Sequence, residues 1–569
     1  MKTLHTFNLG PYERIVATES PEAQHWFKQG LLWLYGFNMD QAVACFSEAI
    51  DHDPALAIAY WGRVIAGGPY YNLPWAFLSE TELSKIIRSC HADCQKALTL
   101  VETLPVSDLD RSLVCALAKR FPQATTRDDS DYSTWDDKFA AAMSNVHRSF
   151  PDDPDVTTIY VLAMMNRTPW ALWNLQTGEP AQNADTIKAI QATERALETF
   201  NAAQDSPHPG LLHLYIHLLE MSPTPEKAME TSRKLSLYAS DCAHFHHMPG
   251  HIYVQCGYFD DAVVASKDAI AADKRFLDLT PEISFYLLDQ SHHLHLMAFA
   301  AMMKGHFADA LYAANRIREI LTPAKLQGGN TLFRRTMEAY HSIHHHVLIR
   351  FGKWEQIVAE PPPADSTLFC VTTTMDHYAK AIAWATLGDQ MDAEKHRNLF
   401  LEARNRVPAD RRFFNNPASS IFNVAEAMMN GEVLYHAGDV ETAFNHLITA
   451  ASKSEEFIYN EPWAWMHPVR HALGALMLEQ GRIDEAARYY EEDLGLSDSL
   501  MRCIRYPNNI WSMTGYYECL TKLGRMLEAE AIEEKLKDLR SYSDINIGTS
   551  CFCRTQNVGD KPFFSTDCC

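Results

Sequence analysis

Along most of the chain apolar residues recur every three or four positions, the period of a helix with one buried face, and strict strand-like alternation is hard to find. Over residues 23 to 56 a pattern of side-chain size lies on top of this period. Trp26, Gly30 and Trp33 mark one helix, Ala42, Phe46 and Ala49 a second, and Pro54 closes the pair in "DHDPALA". Gly30 and Ala42 let the two helices approach, the aromatic residues fill the gap, and Pro54 stops the second helix.

The spacing recurs. Gly431, Gly438, Ala443 and Ala450 keep it in "NGEVLYHAGDVETAFNHLITAA", and Gly474, Gly481, Ala486 and Tyr490 in "LGALMLEQGRIDEAARYY". Fainter copies run through "AIAWATLGDQMDAEKHRNLF" and "CLTKLGRMLEAEAIEE". A 34-residue helix–turn–helix unit of this kind is a tetratricopeptide (TPR) repeat. The expected fold is all-α, a TPR-like array of helical hairpins stacked into a curved superhelix that closes on itself around residues 208–346.

Breaker-rich joints at 120–137, 321–331 and 359–367 ("AEPPPADST") divide the array. They give N-terminal repeats over 1–100, linking repeats over 101–205, a histidine-rich centre over 206–358, C-terminal repeats over 359–540 and a cysteine-containing extended tail over 541–569. At 569 residues the chain exceeds a single core, as a repeat array should.

Composition narrows the function classes. A formal net charge of −22 repels phosphate backbones, so no nucleic-acid partner is expected. No run reaches the roughly 18 to 20 apolar residues that span a bilayer, and "MKTLHTFNLGPYERIV" has no apolar signal core. Thirteen scattered cysteines do not form a disulfide framework, and the expected location is cytoplasmic. Cys551, Cys553, Cys568 and Cys569 are read as incidental to the tail, Cys90 and Cys94 as core or surface thiols, and the "NRT" at Asn166 as chance.

Histidine changes the picture most. Fifteen of the 26 histidines fall between positions 208 and 346. "LLHLYIHLLE" sets His213 and His217 four apart, on one helical face, with Glu220 three further on. His247 and His251 repeat the i,i+4 pair in a stretch whose Gly250, Gly257, Ala262 and Ala269 fit the repeat template, and Pro249 is expected near the start of that helix. His292 and His295 lie three apart on a stretch that also carries Asp289. Three helices each offering two imidazoles is how helical metal sites are built. His244, His246, His293, His306 and His344 to His346 are left to structural or supporting roles. There is no HExxH, P-loop, GxGxxG or GxSxG motif.

The elements "HPGLLHLYIHLLE", "HHMPGHIYVQCGYFDDA" and "HHLHLM", with the first repeat and "EPWAWMHPVRHALGALMLEQGRIDEAARYY", resemble a family of TPR-domain proteins found in bacteria and fungi. The likeness runs over nearly the whole chain. It places the family's recurrent histidines on His208, His213, His217, His247, His251, His292 and His295. Family members often carry serine at Gly250 and asparagine at His293, and a GPNxN element reads "GPYYN" here, keeping only Asn72. The resemblance implies architecture and supplies no reaction.

From the residues, the expectation is a metal-dependent enzyme, an oxygen-using oxidoreductase acting on a small molecule in the central cavity. Its metal ligands are His208, His213, His217, His247, His251, His292 and His295, and Glu220 is the candidate catalytic residue. Imidazoles with few carboxylates favour copper, two sets of three suiting a paired-copper centre. A ligating Glu220 would favour iron or manganese, and zinc with an activated water would give a hydrolase. The competing reading is a non-catalytic scaffold whose repeat surfaces bind a protein partner.

Overall fold

The computed structural model describes residues 7–127, 131–203, 207–280, 286–328 and 331–554. The chain is all-α, built from helical hairpins, and no described helix is long and apolar enough to cross a membrane. It packs as two compact units, one of Met1–Tyr253, Val264–His293 and Gly329–Leu332, the other of Val254–Val263, Leu294–Gly328 and Phe333–Cys569. The proline-rich stretch at 359–367 lies inside the second unit. The chain instead passes between units within the Ala243–Cys256 and Tyr286–Lys304 helices.

In the first unit Pro21–Tyr35 and Met39–His52 form the expected hairpin. Ser20 caps the first helix by accepting the Ala23 N–H, and Pro21 occupies a first-turn position whose N–H has no helical partner anyway. Phe46 lies between two glycines. A Cβ on Gly30 would stand 2.9 Å from its ring, and one on Gly62, in the Ala57–Gly67 helix, 2.5 Å. Three successive helices close on one aromatic ring because two of them lack a side chain there.

The second unit repeats the device. Tyr490 of the Ile483–Asp493 helix fits against Gly474 of Val469–Glu479 and Gly515 of Ile510–Lys522, where added Cβ atoms would come within 2.5 and 2.3 Å of its ring. Its hairpin turns place Gly388, Gly438, Gly481 and Gly524 at positive φ, the left-handed conformation that glycine adopts without a Cβ clash. The described β-structure is slight: two-residue strands, Arg412–Phe413 and Asn416–Pro417, paired antiparallel, and two isolated bridges.

The expected extended tail is only partly that. Residues 543–554 are not helical but pack into the second unit. Arg350 donates to the Ser550 carbonyl at 2.7 Å, Phe552 meets Trp511 edge-on, and Cys551 and Cys553 are buried as a disulfide. Burial of Ile547, Cys551 and Cys553 holds this stretch, a gain that helical periodicity does not report. Cys568 and Cys569 lie outside the described residues. Cys90 and Cys94 are core thiols of the Glu80–Thr103 helix, and Asn166 is buried at a helix C-cap.

Candidate metal centre

Three helices bring the histidines of the first unit together: Pro209–Leu219, the part of Ala243–Cys256 up to Tyr253, and the part of Tyr286–Lys304 up to His293. Ala243–Cys256 begins earlier than its sequence implies. Pro249 is therefore inside the helix and not near its start, removing the N–H that would meet the Phe245 carbonyl.

Hydrogen bonds fix which nitrogen of each ring carries the proton. His213 donates through Nδ1 to the Tyr35 carbonyl at 2.6 Å, one of the carbonyls a helix C-terminus leaves free. His217 donates through Nδ1 to Glu220 Oε1 at 2.9 Å, and His251 through Nδ1 to Glu220 Oε2. A carbonyl or carboxylate can only accept, so Nδ1 of each of these rings carries a proton and Nε2 is turned away from that partner. That is the outer hydrogen bond that metal-ligating histidines make.

The rings gather as two triads. In His213, His217 and His244, one nitrogen of each ring lies within 4.8 Å of the others, and the same holds for His247, His251 and His292. His213 Nε2 and His244 Nε2 are 3.1 Å apart, His251 Nε2 and His247 Nε2 2.7 Å. Each is a hydrogen bond between imidazoles, in which one Nε2 carries the proton and the other accepts it.

Burial sets the charge state. It pushes His213, His244 and His247 well below the ordinary histidine range, and the neighbouring imidazoles push the same way. Burial also lowers His251, against the pull of Glu220. These rings are neutral at neutral pH and ready to ligate without losing a proton. Burial alone would raise the Glu220 carboxyl; electrostatic attraction to His251 and His217, together with the hydrogen bonds they donate, outweighs it and holds it below the usual range. Glu220 is a fully buried anion with one histidine N–H on each oxygen.

Two contributors were not singled out from the sequence. His244 was set aside, yet His244, His247 and His251 are i, i+3 and i+7 on one helix face. Phe37 stands seven residues after Gly30, where later repeats place the turn glycine after Gly431 and Gly474. It takes the left-handed conformation at φ +53° and sets its ring 4.4 Å from His213, edge-on, and stacked on His217 and His244. His293 donates Nδ1–H to Asp273 at 2.8 Å, with its ring 4.5 Å from His247. Burial would lower it, but Asp273 and Asp289 outweigh burial and raise it.

Two expected roles change. His208 is the N-cap of Pro209–Leu219: its Nδ1 accepts the Leu211 N–H at 3.2 Å and its Nε2 donates to Asp155 at 3.1 Å. Both nitrogens are occupied, which leaves none for a metal. His295 falls in the second unit, across the division from His292; its Nε2 lies 2.9 Å from Met466 Sδ and its ring stacks on Phe414. The division between the units falls between His293 and Leu294, within the helix that carries both residues. Glu220, the candidate catalytic group, has one oxygen engaged by His217 and the other by His251. In the second unit His344, His345 and His346 are each paired, with Glu360, Asp376 and His467.

No protein-family model matches the chain, and no curated protein matches it. The family likeness read from the histidine motifs therefore stays an expectation. Among solved structures, a human IFIT1 dimer with m7Gppp-AAAA aligns over 93% of this chain and 92% of its own, at 12% identity and a TM-score of 0.31. Yeast Tom70 aligns over 91% and 93%, at 12% identity and 0.28, and Naa15/Naa10 bound to HypK-THB over 91% and 70%, at 12% and 0.23. Superpositions that loose carry no argument about the site.

Proposed function

We propose that the chain is a metal-dependent enzyme, an oxygen-using oxidoreductase acting on a small molecule, with the buried imidazole cluster as its metal centre. The observation that carries this reading is the Nδ1 hydrogen bonding of His213, His217 and His251, which leaves the Nε2 atoms of His213 and His251 facing His244 and His247, and the buried Nε2 of His217 without a hydrogen-bond partner.

Nitrogen-only donors favour copper, then iron or zinc, over the oxygen-preferring ions. With Glu220 engaged by two imidazoles, the argument for manganese through a ligating carboxylate weakens. Copper or iron, when bound, would supply one-electron chemistry toward dioxygen. The chain's own residues hold the ring tautomers, keep the rings neutral and, through Phe37 and Tyr71 against His217, exclude water from one side.

The test is elemental analysis after purification without chelator, followed by anaerobic loading and exposure to dioxygen, read by optical and paramagnetic spectra. A copper or iron signal that changes on exposure is the expected result. A chain that retains zinc alone would sink the oxidoreductase in favour of a hydrolase. Less than a tenth of an ion per chain would sink the metal centre and leave the scaffold.

A further inference from the structure

We propose that the cluster is two sites, His213/His217/His244 and His247/His251/His292, each taking one nitrogen-preferring transition ion, with Glu220 fixing a ligand tautomer in both. This rests on the reading of the cluster as a metal centre and goes further, to its stoichiometry and to what couples the two ions.

The partition follows from the carboxylate. His217 and His251 both point Nδ1 at Glu220, one at each oxygen, and their ring planes stand at 80° with centroids 6.3 Å apart. His251 Nε2 faces His247 of one triad, while the His217 ring packs against His213 of the other. Ring centroids within the first triad are 4.8 Å apart for His213 with His217 and with His244, and 6.2 Å for His217 with His244; within the second they are 4.6 Å for His247 with His251, 4.4 Å for His247 with His292 and 5.5 Å for His251 with His292. Three imidazoles are a complete facial set for one ion and leave a position open. His244 and His247, at 5.8 Å, are the nearest approach on the other flank, one helical turn apart on the same helix.

Glu220 is then more than an anchor. Both its oxygens accept, which lets one residue impose the Nδ1–H tautomer on a ligand in each triad. An amide cannot do this. In Glu220→Gln the carbonyl oxygen accepts one Nδ1–H, while the NH2 group faces the other Nδ1 and drives that ring to the Nε2–H tautomer. One triad keeps its three lone pairs and the other loses one.

The experiment is zinc titration of the full chain by calorimetry, with metal counted after gel filtration and folding checked by circular dichroism. Two ions per chain are expected in the wild type, and one each in His244→Asn and His292→Asn. In Glu220→Gln one ion should stay tight and the other weaken by about 10- to 100-fold. One ion in the wild type, lost in both single histidine variants, would overturn the two-site partition and leave a single shared centre. No ion in the wild type would overturn both readings. Equal retention of two tight ions in Glu220→Gln would overturn the role of the carboxylate. Should that variant not fold, imidazole 15N spectra of the metal-free wild type read the same point: Nδ1–H on His217 and His251 is expected, and Nε2–H on either overturns it.

Discussion

Phe37 lays its ring on the imidazole of His217, centroids 5.7 Å apart and planes 20° apart, from a backbone held at φ +53°. For a residue with a Cβ that conformation costs about 1–2 kcal/mol. The hairpins of the second unit avoid the cost with glycine at the same turn. Local preference has yielded here to the placement of one ring over three histidines, and such conflicts concentrate at functional sites.

Replacing Phe37 with glycine should relieve the strain yet destabilise the chain. Losing a buried phenyl costs about 3–5 kcal/mol and about 1–2 is recovered, so the net loss is about 1–4 kcal/mol. The first triad would also open to water, and a chelator should strip its ion faster than from the wild type. Denaturant melts and stopped-flow metal release check both; unchanged release would mean the ring does not shield the site.

Asp155 gathers the Arg14 guanidinium at 2.8 Å, His208 Nε2 at 3.1 Å and the Tyr35 hydroxyl. Burial would raise its carboxyl; the hydrogen bond and charge of His208, with Arg14 and Tyr35, outweigh this and hold it well below the usual range. A carboxyl depressed in the folded state stabilises above its unfolded value of about 3.9, and that stability disappears as pH falls through the native value. Asp155→Asn should cost about 3–5 kcal/mol at pH 7, as breaking a buried ion pair does. Its stability should also fall less steeply below pH 4. Urea midpoints from pH 7 to pH 3 decide it: parallel curves for the two proteins would remove Asp155 as the origin of the acid loss.

How much of this was legible in the sequence depended on the range of the interaction. Gly30 with Phe46, and Gly474 with Tyr490, are size patterns within one hairpin, and the chain spells them out. The i,i+4 pairs His213/His217 and His247/His251 are equally local. What joins them is not: His213 needs the Tyr35 carbonyl from 178 positions away, and Glu220 reaches His251 across 31. His208 shows how a motif misleads. In "HPG" the histidine caps a helix and the proline begins it, as Asp153 and Pro154 do in the neighbouring helix, and histidine is an uncommon cap. Phe37 was readable, as the non-glycine at a template glycine, but only against the other repeats.

Glu432, in the Ala418–His436 helix, is buried with Oε2 unpaired, and burial pushes its carboxyl up to about 8 against the pull of Arg350. Between about 4.5 and about 8 the folded chain keeps this proton and the unfolded chain has released it. Stability therefore falls as pH rises through that window, by up to about 1.4 kcal/mol per pH unit from this group. Glu432→Gln should remove the slope, leaving the variant closest to the wild type near pH 4.5 and gaining on it toward pH 8. Chemical denaturation at pH 5, 6.5 and 8 checks this. A constant difference between the two proteins would mean that Glu432 is ionised throughout.

Metal loading should stabilise the chain, since the two triads tie together three helices that the sequence separates by up to 79 positions, from His213 to His292. A ligand bound only by the folded state adds about 2.7 kcal/mol at 100 times its dissociation constant, and an unfolded chain cannot hold six imidazoles in two triads. The wild type should therefore melt higher with zinc or copper than after chelator. His251→Ala, which removes a ligand from the second triad and a partner from Glu220, should lose part of that increment while keeping its helical content. His208→Ala should behave oppositely: a lower melting temperature through the lost cap and the Asp155 contact, with the metal-induced increment intact. Calorimetric scans of the three proteins, each with metal and with chelator, separate the two histidine roles. An increment that disappears in His208→Ala and survives in His251→Ala would reverse the assignment made here.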